Sequence, residues 1–156
     1  MTEIATLGRG YIEKVLEIIR NTDEVGLLDN RQPDGLKGIS GLKTVGLLQR
    51  LAQFFEEEAN TCYLEIGVYQ GLTLVSTALE TPNLPCFGID NFATLDPKGK
   101  NKSIVRKQLN NFSIKNATLI DADFEQALEK LDTHIIGKKV GIYFIDGPHD
   151  YRSQLV

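Results

Sequence analysis

The chain has 156 residues, 42% hydrophobic and 24% charged, with fourteen Gly and five Pro; this composition excludes disorder, collagen-like repeats and coiled coil and suits one domain that buries about two-thirds of its unfolded surface. Seventeen Lys plus Arg against 21 Asp plus Glu give a net charge of −4 with no basic run, so nucleic acid is not an expected partner. The apolar stretches fall far short of the roughly 20 residues a bilayer needs, and the N-terminal segment is too charged for a secretory signal, which predicts a cytoplasmic chain without membrane contact.

Cys62 and Cys86 sit among apolar residues with no CxxC or Cys/His pairing, so buried free thiols are expected rather than a disulfide or a zinc site. The front of the chain is helical. Tyr11, Ile12, Val15, Leu16, Ile18 and Ile19 recur at helical spacing and predict an amphipathic helix that ends at Asn21-Thr22-Asp23 and Gly26. The turn-rich stretch from Asn30 to Gly41 predicts a loop. A second helix follows, with Ser40 or Thr44 as its cap and Val45, Leu48, Leu51, Ala52 and Phe55 as its apolar face.

After Asn60 short apolar runs alternate with helical segments. Strands are predicted at Tyr63–Val68, Cys86–Ile89, Ala117–Ile120 and Val140–Ile145, with helices at Leu72–Leu79, Ile104–Phe112 and Phe124–Leu131. Strands that are apolar on both faces, each followed by a helix, predict an α/β fold with a parallel sheet covered on both sides. Residues 1–60 form a helical extension and 61–156 the sheet domain. Ligands in such sheets bind beyond the carboxyl ends of the strands, and here every strand end carries acids: Glu65, Asp90, then Asp121 and Asp123, then Asp146.

Gly67 and Gly71 frame a tight turn into the first helix, and Asp90 lies where an acid takes both hydroxyls of a ribose. Read singly, the glycines make a turn and the acids start helices. The G-x-x-x-G spacing lacks the third glycine a dinucleotide pyrophosphate requires, and carboxylates at all four strand ends would repel a diphosphate. They suit a ligand with a ribose, an ammonium and a positive centre, which describes S-adenosylmethionine.

Glu65-x-Gly67-x-x-x-Gly71-x-Thr73 resembles the first motif of class I S-adenosylmethionine-dependent methyltransferases. FGID, ending in Asp90, resembles their ribose-binding acid, and LIDADF their third-strand motif. IYFIDGPHDY is similar to the fourth-strand motif of the small-molecule enzymes grouped as methyltransferase family 24, roughly F-I-D-G-x-H-x-Y. The resemblance implies a Rossmann-like sheet in the order 3-2-1-4 and O-methyl transfer to a small-molecule acceptor. It implies that Glu65 anchors the methionine ammonium directly or through water, that Gly67 and Gly71 line the methionine moiety, and that Asp90 holds the ribose. Asp123 would accept from the adenine amino group, with Phe124 or Phe92 against the ring. Asp146 would orient the acceptor or ligate a divalent ion such as Mg2+, and His149 would be general base, the alternative for His149 being a helix-start residue that contacts Asp146. The family's remaining strands are absent from the sequence, so a truncated chain is expected, self-associating as a homodimer through the fourth strand's edge. The competing expectation is a non-catalytic nucleotide-binding or dimerisation module.

Overall fold

The computed structural model describes residues 2–27 and 35–147. Four strands, β1 (Thr61–Ile66), β2 (Cys86–Ile89), β3 (Ala117–Ile120) and β4 (Lys139–Ile145), form one sheet in the order β3-β2-β1-β4. Every pairing is parallel, with Tyr63 opposite Cys86, Cys86 opposite Ala117 and Ile66 opposite Ile145. The Rossmann-like order expected from the sequence is therefore the observed one.

Among the described residues six helices accompany the sheet: α1 (Thr2–Val25), α2 (Leu42–Glu56), α3 (Leu72–Glu80), α4 (Asn101–Asn111), α5 (Phe124–Glu129) and α6 (Leu131–His134). Successive strand residues point to opposite faces, and β1 divides its side chains accordingly. Tyr63 joins Leu48 and Ala52 of α2, Leu74 and Ala78 of α3 and Val105 of α4 in one core. Cys62, Leu64 and Ile66 join Ile120, Ala127 and Ile135 on the other side. Burial on both faces is why these strands read as continuous apolar runs. Both cysteines are free and buried, and burial pushes the Cys86 thiol up to about 12, as expected of inert structural thiols.

Helix α1 packs on α2 through Tyr11, whose ring meets that of Phe54 edge-on at 4.9 Å. It runs past the Asn21-Thr22-Asp23 cluster, because Thr22 turns its hydroxyl back onto the Ile18 carbonyl at 2.8 Å instead of breaking the helix. The stop is Gly26, at φ +79° with its N–H on the Thr22 carbonyl. The N-cap of α2 is Gly41, which offers no side chain, so neither Ser40 nor Thr44 has the capping role the sequence suggested. Helix α4 begins three residues before its predicted start, since Asp96 accepts the Lys100 and Asn101 N–H groups at 2.8 and 2.9 Å.

Strand β4 pairs with β1 alone among the described residues. Ile142 is buried against the α2 side, whereas Val140, Tyr143 and Ile145 are 37–43% exposed on the opposite side.

Candidate functional site

Two backbone bonds knit the carboxyl ends of the central strands, Gly67 N–H to the Ile89 carbonyl at 2.9 Å and Asp146 N–H to the Ile66 carbonyl at 2.8 Å. A Cβ on Gly67 would lie 2.4 Å from the Asp146 carbonyl oxygen, and its φ is +90°. Glycine is required there by the approach of β4 to the first turn as well as by the backbone angle. Gly71, at φ +91°, is the N-cap of α3, and a Cβ there would meet only ordinary contacts. The two glycines thus shape the turn first, and what they offer a ligand is the backbone that the turn exposes.

Above these ends lies a cavity of about 440 Å³, within the size range of small-molecule sites. Its walls come from every strand end: Gly67 to Tyr69 after β1, Asp90, Asn91, Thr94 and Leu95 after β2, Asp123 and Phe124 after β3, and Asp146 and Gly147 after β4. Thr73 of α3 and the loop Gly38-Ile39-Ser40 complete it. Tyr69 and Leu95 hold positive φ, +52° and +57°, an uncommon conformation for side-chain-bearing residues that clusters at ligand sites. Among the described residues no Lys, Arg or His lines the cavity, while Asp90, Asp123 and Asp146 all do.

Each acid has work within the chain. Asp90 Oδ2 accepts the Val68 and Tyr69 N–H groups at 2.9 and 2.8 Å, and Oδ1 accepts the Phe92 N–H at 2.7 Å. A carboxylate offers about four lone pairs, and these bonds use three of them, two on Oδ2 and one on Oδ1. Two of its three bonds fix the β1–α3 loop. Asp123 caps α5 through Oδ1, accepting from Glu125 N–H at 3.0 Å and Gln126 N–H at 3.5 Å, and Oδ2 takes no part in that cap. Asp121 instead pairs with Lys102 and does not line the cavity.

Glu65 departs most from its expected position. It is fully buried and lies behind the cavity wall, where Tyr63 Oη donates to its Oε2 at 2.5 Å and Thr73 Oγ1 to its Oε1 at 2.7 Å. Burial pushes its carboxyl up to about 7, with the two hydroxyl donors opposing the rise and the charges of Asp146 and Asp90 adding to it. Glu65 itself does not line the cavity, and its hydrogen-bond partner Thr73 does.

Asp146 accepts a hydrogen bond from Ser40 Oγ at 3.1 Å. Among the described residues no three His, Cys, Asp or Glu converge to hold a metal ion, so the described residues do not supply the donor set for the divalent ion expected at Asp146. His149 lies outside the described residues. Phe124 lines the cavity, whereas Phe92 packs against the core on the α3 side. The sequence reading missed Ser40, Ile39, Tyr69 and Leu95; the left-handed residues and the loop before α2 carry no local pattern that marks a site.

The methyltransferase-domain family matches residues 64–156, and the chain belongs to that family. No curated protein matches it. Among solved structures it is similar to a Klebsiella pneumoniae protein assigned as an O-methyltransferase, at 19% identity and TM-score 0.44 over 76% of this chain and 46% of that one. It is also similar to the methyltransferase PaMTH1 of Podospora anserina, solved with S-adenosylhomocysteine bound, at 18% identity and TM-score 0.45 over 83% of this chain and 53% of that one. The chain spans about half the length of each.

Proposed function

We propose that the chain binds S-adenosylmethionine and serves methyl transfer to the hydroxyl of a small-molecule acceptor. The observation that carries this reading is the charge of the cavity: three carboxylates and, among the described residues, no cation. Such a wall disfavours phosphate groups and favours a ligand bearing an ammonium and a sulfonium. The bound cofactor supplies an electrophilic methyl group on sulfur.

The remaining Asp90 lone pair suits one ribose hydroxyl, and Asp123 Oδ2 suits the adenine amino group, with Phe124 at the ring. The Thr73 oxygen, backed by Glu65, suits the methionine ammonium. Methyl transfer is an in-line displacement, so the protein's task is to align acceptor and donor and keep water out. Ile39 and Leu95, 73% and 64% exposed at the cavity, give an apolar rim for the acceptor. Asp146, held by Ser40, orients the acceptor hydroxyl, and His149 is proposed as the base that takes its proton.

The test is to incubate the chain with methyl-labelled S-adenosylmethionine and a panel of small hydroxylated acceptors. Labelled product supports the reading. Binding without transfer to any acceptor would favour a non-catalytic binding module.

A further inference from the structure

Tyr63 and Glu65 are two apart on β1 and so face the same side of the sheet, where Thr73 of α3 meets them. All three are at most 4% exposed. The chain of bonds runs from Tyr63 Oη to Glu65 Oε2 at 2.5 Å and from Thr73 Oγ1 to Glu65 Oε1 at 2.7 Å, and only Thr73 reaches the cavity.

Each hydroxyl carries a single proton. While Glu65 is ionised it accepts from both partners, so the Thr73 proton points inward and its oxygen lone pairs remain for the cavity. A protonated Glu65 must donate instead. The switch requires that the Tyr63 phenol keep donating to Oε2 rather than turn to Thr77, the other polar neighbour of its hydroxyl, so that Oε1 carries the added proton. That proton then donates to Thr73 Oγ1, and the Thr73 proton turns toward the cavity. One proton behind the wall thus converts Thr73 from acceptor to donor.

We propose that Tyr63 is a positioning residue which, through the hydrogen-bond direction at Thr73, couples occupancy of the cavity by an ammonium-bearing ligand to a single proton on Glu65. This rests on the cofactor reading above, because Thr73 can meet an ammonium only as an acceptor. The other titratable groups facing Glu65 are Asp146 beyond β4, Asp90 beyond β2 and Cys86 on β2. The two aspartates disfavour its ionisation, and the Cys86 thiol, pushed up to about 12, stays neutral. The balance places the exchange at about pH 7.

The experiment measures binding of S-adenosylhomocysteine by calorimetry across the neutral range. It is run beside 5′-methylthioadenosine, which shares the adenosine and thioether but lacks the ammonium. For the parent chain, affinity for the first should be about tenfold weaker at about pH 6 than at about pH 8, following the ionised fraction of Glu65, and affinity for the second should be flat. Tyr63→Phe keeps the ring and removes one donor to the carboxylate, so its profile should move up by about one pH unit. Thr73→Val should abolish the pH dependence and Thr73→Ser should retain it. The Glu65 carboxyl resonance of the unliganded protein, titrated by NMR, should show the same upward move in Tyr63→Phe.

A parent affinity that is present but flat with pH overturns the coupling alone. So does a Tyr63→Phe profile that superimposes on the parent's. Should Tyr63→Phe fail to fold, the comparison of the parent with Thr73→Val decides in the same way. Absence of S-adenosylhomocysteine binding by the parent at every pH overturns the cofactor reading and the coupling with it.

Discussion

Ser40 and Asp146, 106 positions apart in the sequence, share a hydrogen bond of 3.1 Å that ties the loop before α2 to the end of β4. The N-terminal extension thereby closes one side of a cavity whose other walls are strand ends. Ser40→Ala should leave the fold almost as stable as the parent, at a cost of about 1 kcal/mol or less for one partly buried bond. It should loosen the loop, which amide hydrogen exchange at residues 38–41 reads directly. Unchanged protection there would show that the bond does not hold the loop.

Gly67 and Gly71 have nearly the same backbone angle and different surroundings. Alanine at Gly67 adds a Cβ within 2.4 Å of the Asp146 carbonyl, whereas at Gly71 the nearest atom is 3.4 Å away. Gly71→Ala should cost the strain of a left-handed alanine, about 1–2 kcal/mol. Gly67→Ala should cost that and the displacement of β4, about 3 kcal/mol or more. Urea unfolding of the two variants checks the order, and equal costs would contradict it.

Asp90 secures three backbone N–H groups of two loops. Its replacement by Ala should therefore lower stability as well as ligand affinity, by roughly 2–3 kcal/mol in unfolding free energy, since buried donors left unpaired are costly. Asp90→Asn, which keeps one acceptor oxygen, should recover part of the loss. Thermal unfolding beside calorimetry separates the two effects. An Asp90→Ala variant as stable as the parent would mean that the loop bonds are dispensable.

The buried carboxyl of Glu65 makes stability depend on pH. Its folded pKa, raised to about 7 from 4.5, means that the native state holds a proton the unfolded chain has already released. Stability from this group is complete below about pH 4.5 and declines as pH rises through about 7, by on the order of 3 kcal/mol. Glu65→Gln removes the titration. The unfolding free energy of the variant should gain on that of the parent between about pH 5 and about pH 8, and a gap that stays constant with pH would refute the assignment.

The sheet was legible because its strands are short apolar runs, each followed by a helix of ordinary length. β2 and β3 begin and end where the runs do, at Cys86–Ile89 and Ala117–Ile120. Helix ends were less so. Thr22 looks like a breaker until its hydroxyl bonds the Ile18 carbonyl, and α4 starts early because Asp96, outside the periodic segment, supplies its cap. At the site, position after a strand located Asp90, Asp123 and Asp146 on the cavity wall, since parallel topology alone brings strand ends together. Glu65 lies off that wall, paired with Tyr63 and Thr73, because whether a residue on β1 faces the cavity or the α3 interface depends on the pleat. Ser40 was read as a helix cap, as its contact with Asp146 is purely tertiary.

The central claim is that the acidic cavity selects an ammonium-bearing adenosine ligand over a dinucleotide. Calorimetric titration of the parent chain with S-adenosylhomocysteine and, under the same conditions, with NAD tests it most directly. The account predicts saturable one-to-one binding of S-adenosylhomocysteine and no measurable heat with NAD. Comparable binding of NAD, or binding of NAD alone, would contradict it.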